Sequence, residues 1–357
     1  MSDLQIALLA IGFGVLVAVY VLGWWQQRRY RQKFGTAFKS NHGDALYTNS
    51  IDPPLDVSDL ELNVPAASGS PAVESAFPAM SEDSCAVLDA RSDFIIELHL
   101  IEPSPAAVLV GFWQRKFDFR KPVQVCGMAM SSRKWERVIA ESHTLYDRFR
   151  VALQLVDRGG AISEAKLADF NDLVLGVAAQ IKAQTTVPDI RAVYRHAVKL
   201  DEFCASVDQV VGVNLIPPKN KMIRALDISR AAALHGMTLE ADGAFHLLDT
   251  QGYSLFSLIN QDTVPFQHHT LETFATAGIT FLLDVPRVEQ PTVRFNEMIT
   301  VAKDLAGKLG LKLVDDQNVE TSDLGLESTR KRIAGVDARM NANAIAPGGP
   351  QARRLFS

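Results

Sequence analysis

The side chains in this chain that could do chemistry are spaced so that they do not. His268-His269 offers two metal ligands, but no third ligand stands at a suitable distance, and consecutive histidines in a Pro-bounded loop are usually solvated. Asp315-Asp316 could work as a paired acid and base, yet they end a strand, where turn or helix-capping duty is commoner. Cys85, Cys126 and Cys204 lie far apart with no C-x-x-C spacing, and an odd count without a pairing pattern fits a reducing compartment and inert thiols. Ser257 and the scattered histidines form no nucleophile elbow and no Cys/His signature. There is no P-loop and no G-x-G-x-x-G, and Gly159-Gly160 is most simply a turn. The expectation is a binding protein, not an enzyme, with no catalytic residue, metal, cofactor or small-molecule substrate.

The elements that would position a binding surface occupy the C-terminal three quarters of the chain. At 357 residues there is room for about two compact domains plus connecting segments. A net charge of −5 argues against a nucleic-acid partner, which normally meets a basic field. Residues 88–206 read as a first α+β module. Its strands are expected at Phe94–Ile101, Val123–Met128, Trp135–Glu141 and Phe149–Val156, with a helix opened by Ser104-Pro105. A second helix follows Ser163, with a stripe at Leu167, Phe170, Val174, Val177 and Ile181, and Pro188 starts a third. Residues 207–333 repeat the order: strands at Val210–Ile216, Ala244–Leu248, Tyr253–Gln261 and Gly278–Val285, then a helical stripe from Phe295 to Leu309 and a strand ending at Val314. Leu98-His-Leu-Ile-Glu-Pro103 matches Val213-Asn-Leu-Ile-Pro-Pro218, and Phe170-Asn-Asp-Leu-Val174 matches Phe295-Asn-Glu-Met-Ile299, which suggests a tandem duplication. A strand–helix–strand–strand–helix–strand order makes one antiparallel sheet with helices on one face, a split β-α-β module. A final helix is expected near Leu326–Ile333, and residues 334–357, with their Asn, Ala, Gly and Pro, are expected to be a disordered tail.

Upstream, Leu4–Trp25 is an almost unbroken apolar run, and about 20 such residues cross the roughly 30 Å hydrocarbon core as a helix. Trp24 and Trp25 suit an interfacial belt, and a basic collar over 26–34 (Arg28, Arg29, Arg31, Lys33) puts the bulk of the chain on the cytoplasmic side. A cleaved signal peptide would carry its positive charge before the run, not after it. Residues 35–87 have no sustained periodicity, several prolines and almost solely acidic charges, and read as a disordered linker with ends roughly 40 Å apart.

Strand alternation sorts the faces of the second module. If Val211, Val213, Leu215, Phe256, Leu258, Phe281 and Leu283 pack under the helices, an open face is left. It carries Val210, Gly212, Leu255, Ser257, Ile259 and Leu282. A shallow apolar strip of this kind suits an extended peptide with a few hydrophobic anchors. The rival is that the other module covers it.

Residues 209–330 resemble the C-terminal domain of the ZipA family of bacterial cell-division proteins. The resemblance lies in Leu255-Phe256-Ser257-Leu258-Ile259-Asn260, Gly278-Ile279-Thr280-Phe281-Leu282 with Val285-Pro286, Phe295 opening the helix, and Leu313-Val314-Asp315-Asp316-Gln317. The anchor, collar and linker match the family's layout as well. The resemblance implies a single-pass protein of the bacterial inner membrane. Its open sheet face would bind the C-terminal tail of FtsZ, the tubulin-like division GTPase, and tether its filaments to the lipid bilayer during septum formation. By motif position the groove would involve Val210, Gly212, Asp242, Ile259, Gln261 and Leu282. Gly212, Asp242 and Gln261 stand where the family has apolar, partly Met-rich positions. The alternative is a membrane-anchored adaptor for another cytoplasmic partner, with the open face buried between the modules.

Overall fold

The computed structural model describes residue 85 and residues 88–357, apart from 219–220, 263 and 316–318. The proposed membrane helix at 4–25, the basic collar, nearly all of the linker, and Asp316 lie outside the described residues. Among the described residues no helix is long and apolar enough to cross a membrane.

The first module starts with β1 (Asp93–Ser104), followed by α1 (Val110–Arg115), β2 (Val123–Ala129), β3 (Trp135–Arg137) and β4 (Tyr146–Gln154). A short hairpin of β5 (Val156–Asp157) and β6 (Gly160–Ala161) leads into α2 (Glu164–Gln180), β7 (Gln184–Thr186) and α3 (Ile190–Val207). The second module runs β8 (Val210–Ile216), β9 (Ile223–Arg224), α4 (Ala225–Ala233), β10 (Thr238–Leu239), β11 (Phe245–Leu248), β12 (Ser254–Asn260), β13 (Ala275–Thr276), β14 (Ile279–Asp284), α5 (Pro291–Leu309) and β15 (Lys312–Val314). The chain closes with α6 (Asp323–Ala342) and α7 (Pro350–Leu355).

The two main sheets have strand orders β3-β2-β4-β1-β7 and β10-β11-β12-β14-β8-β15. Every neighbouring pair in them is antiparallel. In both, the module's first strand lies between the strand that precedes the long helix and the strand that follows it: β4-β1-β7 and β14-β8-β15. That is the split β-α-β arrangement, present twice.

The long helices have local reasons for where they begin and end. The Ser163 hydroxyl accepts the Lys166 amide at the start of α2. Pro291 occupies the first turn of α5, and Gly310 ends it with φ 65°, its amide donating to the Ala306 carbonyl. Their apolar stripes are buried: Leu167, Phe170, Val174 and Val177 on α2, and Phe295, Met298, Ile299, Ala302 and Leu305 on α5. Phe170 sits among Phe94, Phe112 and Phe119, with centroids 5.2–6.2 Å away. Val211, Val213, Leu215, Phe256, Leu258, Phe281 and Leu283 meet α5 from the second sheet as buried residues of the same core.

Several expectations are corrected. Ser104 does not cap a helix. β1 runs on to it because the ladder with β4 skips from His99 to Ser104, so Pro103 has no amide to supply there. The Ser104 hydroxyl instead donates to the Glu102 carbonyl (3.0 Å), and the following turn is 3-10 (Ala106–Leu109) before α1. The strand expected over Trp135–Glu141 is the three-residue β3. Cys85 and Cys126 are not free thiols. They form a disulfide across 41 residues, their Cα atoms 6.3 Å apart, because the approach to β1 turns back over β2. Cys204 is free and buried.

The largest correction concerns residues 334–357, expected to be disordered. The final helix passes 333 and runs to Ala342, and α7 follows. Ile345, Ala352, Leu355 and Phe356 are buried in the main core. Gly348 turns the chain at φ 71°, where a Cβ would stand 2.3 Å from the Glu289 amide nitrogen, and its own amide donates to the Pro286 carbonyl. The segment clamps the two modules together. The Arg354 guanidinium holds the Asp93 carboxylate, and the Arg354 carbonyl accepts from Gln154 Nε2 (3.0 Å). Arg353 stacks over Tyr253 with 3.6 Å to the ring centroid. A polar, Gly- and Pro-rich composition hides such a segment, because what orders it comes from residues far away in the sequence, from Glu289 and Pro286 back to Asp93.

Candidate functional site

The second sheet has one face under α4 and α5 and another that no long helix among the described residues covers. Its register sets the side chains in rows. His246 pairs with Ser257, Ser257 with Leu282 and Leu282 with Gly212, which makes one row across four strands. Ile259 pairs with Thr280 and Thr280 with Asn214 in the next. Asp284 pairs with Val210 at one end, and Leu255 lies two residues before Ser257 on the same side of β12. Six of the residues singled out from the sequence therefore share one surface: Val210, Gly212, Leu255, Ser257, Ile259 and Leu282. Leu255 also reaches the main core. Gln261 lies just past β12, its amide donating to the Gly278 carbonyl and its side chain filling the space beside Gly278. Asp242 lies outside the sheet, in the turn before β11, and borders the face through His246: Nε2 donates to its carboxylate (3.0 Å) while Nδ1 meets the Ser254 hydroxyl (2.7 Å).

Thr280 and Asn214 on this face are paired to each other. The Thr280 hydroxyl donates to Asn214 Oδ1 (2.7 Å), and Asn214 Nδ2 donates to the Asp315 carbonyl (3.4 Å). The first module meets one end of the face through Arg158, whose guanidinium bridges Asp284 (2.7 and 2.9 Å) and Asp208 (2.7 Å). Burial lifts the Asp284 carboxyl above its ordinary range against the pull of Arg158. Burial pulls the Arg158 guanidinium down, but the two carboxylates outweigh it and leave its pKa raised. His246 and Arg158 escaped the sequence reading. With Phe245 buried, alternation along β11 turns His246 outward, whereas nothing local ties Arg158 to a residue 126 positions on.

Asp315 and the two adjacent histidines sit in turns. The Asp315 carboxylate accepts the Val319 amide (2.9 Å), a turn contact. His268 and His269 lie in a single 3-10 turn, and no group of three His, Cys, Asp or Glu among the described residues could hold a metal ion. A cleft lined by Arg230, Leu234 and Lys308 opens between α4 and α5, away from the open sheet face.

Residues 209–332 match the family model described as ZipA, C-terminal FtsZ-binding domain. The cell division protein ZipA of Ectopseudomonas mendocina (strain ymp) is 26% identical over 149 residues, which is 41% of this chain and 55% of that protein. The alignment thus spans about half the length of this relative. The sheet with the open apolar strip lies within the stretch that matches the ZipA C-terminal domain, so this part of the chain is similar to that domain of a cell-division protein.

Proposed function

We propose that the open face of the second sheet captures the C-terminal tail of FtsZ, and that an N-terminal helix holds this module at the inner face of the bacterial inner membrane. One observation carries the reading: Val210, Gly212, Leu255, Ile259 and Leu282, small or apolar, line a single strip on the side of the sheet opposite the helices. An extended peptide can lay alternate apolar side chains along such a strip. Binding rather than catalysis is the job. Each contact is weak, and many along one polymer at a membrane multiply through effective concentration. Residues 4–25 supply the anchor, with the short N-terminus outside and the linker giving reach. A face closed between the modules, as the adaptor alternative requires, would bury Val210. It is 37% exposed.

The test is binding of the full-length chain to a labelled peptide copying the FtsZ C-terminal tail of the same organism. The peptide should bind at micromolar concentration. Leu282→Asp and Ile259→Asp should each weaken it by more than about tenfold while leaving thermal unfolding unchanged, since burying an unpaired carboxylate under the peptide is costly. No binding of the peptide or of intact FtsZ refutes the assignment.

A further inference from the structure

The first module has an open sheet face as well, and it is occupied. β1, β2 and β4 turn Phe94, Ile96, Leu98, Val125, Phe149 and Val151 into the core under α1 and α2. The opposite sides of the same strands carry Glu97, Arg150 and Cys126 in one row and Ile95 and Ala152 in the adjacent one. The sequence match of Leu98–Pro103 with Val213–Pro218 sets Glu97 against Gly212. The row Glu97–Arg150–Cys126 then falls where the second module has Gly212–Leu282–Ser257. Cys126 therefore stands where the second module has Ser257, beside Arg150 in the first module's equivalent of the open strip.

Over Cys126 sits a piece of the chain itself. Cys85 is bonded to Cys126, and Cys85, Leu88, Cys126 and Ala152 form an apolar cluster apart from the main core, with Ile95 and Trp135 packed against it. Leu88 is 3% exposed and Cys126 0%, so the cover is tight. The Leu88 amide donates to the Cys85 carbonyl (3.0 Å), which turns the chain over the face before it enters β1. Arg150 flanks the cluster, stacked 4.1 Å from the Trp135 ring centroid and paired to Glu97 (3.0 Å).

We propose that this face is a second peptide-binding surface, that the chain's own Cys85 and Leu88 are its occupant, and that the Cys85–Cys126 disulfide is the latch that keeps them there. The proposal rests on the register of the first sheet and not on the FtsZ reading. Release is a thiol–disulfide exchange with a dithiol. One thiolate of the dithiol attacks Cys85 Sγ, the S–S bond breaks, and Cys126 leaves as a thiolate and takes up a proton. The second thiol then displaces Cys85, so that two cysteines are reduced and the dithiol becomes a disulfide. The segment before β1 is then free to lift, and Ile95, Ala152, Cys126 and Trp135 become an open strip beside Arg150.

The experiment is maleimide labelling of the full-length chain, read at each cysteine by mass spectrometry, with buried Cys204 as the monitor of global opening. In the oxidised chain a cross-linked Cys85–Cys126 peptide is expected. After dithiothreitol, and separately in Cys85→Ser, Cys126 should label within about tenfold of its rate in the denatured chain while Cys204 stays protected. In Cys85→Ser/Leu88→Asp, an added peptide copying residues 78–92 with Ser at position 85 should protect Cys126 again. The proposal is overturned if the cross-link is absent after oxidation, or if Cys126 stays protected once the bond is gone, since the cover is then a fixed part of the fold. It is equally overturned if Cys204 opens together with Cys126, or if the added peptide gives no protection.

Discussion

Replacing Arg354 by Met should loosen the clamp between the two modules. The Asp93 side chain is 1% exposed, and its carboxylate accepts from both terminal nitrogens of Arg354 and from the Asp89 amide (2.9 Å). Methionine keeps much of the apolar stem and removes the charge. The carboxylate is left buried, with the Asp89 amide as its chief remaining donor. Breaking a buried pair by removing one partner costs about 3–5 kcal/mol. Arg354 is itself 20% exposed, so water can reach the site and the low end, about 3 kcal/mol, is expected. For a unit of this size that lowers the unfolding midpoint by roughly 6–12 °C. Urea unfolding of Arg354→Met, Asp93→Asn and the double variant gives the coupling directly, and the double variant should cost well under the sum of the singles. A loss below about 0.5 kcal/mol for Arg354→Met, with no coupling, would refute the reasoning and mean that the residues after Asn343 do not dock.

Phe295, fully buried on α5 under the second sheet, should cost about 3–5 kcal/mol when cut to Ala, measured by denaturant unfolding. Lys308 (2.7 Å) first, and then His235 (2.6 Å), hold the Asp304 carboxyl below its ordinary 3.8. A depressed carboxyl stabilises the fold above its unfolded value and loses that contribution as pH falls through the folded one. Asp304→Asn should therefore lower the midpoint at pH 7 and make no difference well below 3.8. Arg158→Met should remove the main opposition to burial of Asp284, leaving only the weaker pull of Arg287, and push its carboxyl higher still, visible in an NMR titration of that side chain. Burial pushes the Cys204 thiol up to about 12, so iodoacetamide at pH 8 should leave it unmodified in the native chain.

Local patterns in the chain are enough to read what repeats over short distances. Alternation along β8, β12 and β14 sorted Val211 from Gly212, Leu258 from Ile259 and Leu283 from Leu282, because a strand turns its side chains over every residue. The stripes at Leu167–Val177 and Phe295–Leu305 marked the helices that cover the inner face, for the same local reason. Tertiary structure alone decided what meets across the chain. Cys85 finds Cys126 over 41 residues, Arg158 finds Asp284 over 126, and Arg354 finds Asp93 over 261. No periodicity encodes such pairs. They exist because sheet order brings distant strands to one edge, and because four apolar side chains in a Gly- and Pro-rich tail gain enough by burial beside them to become ordered.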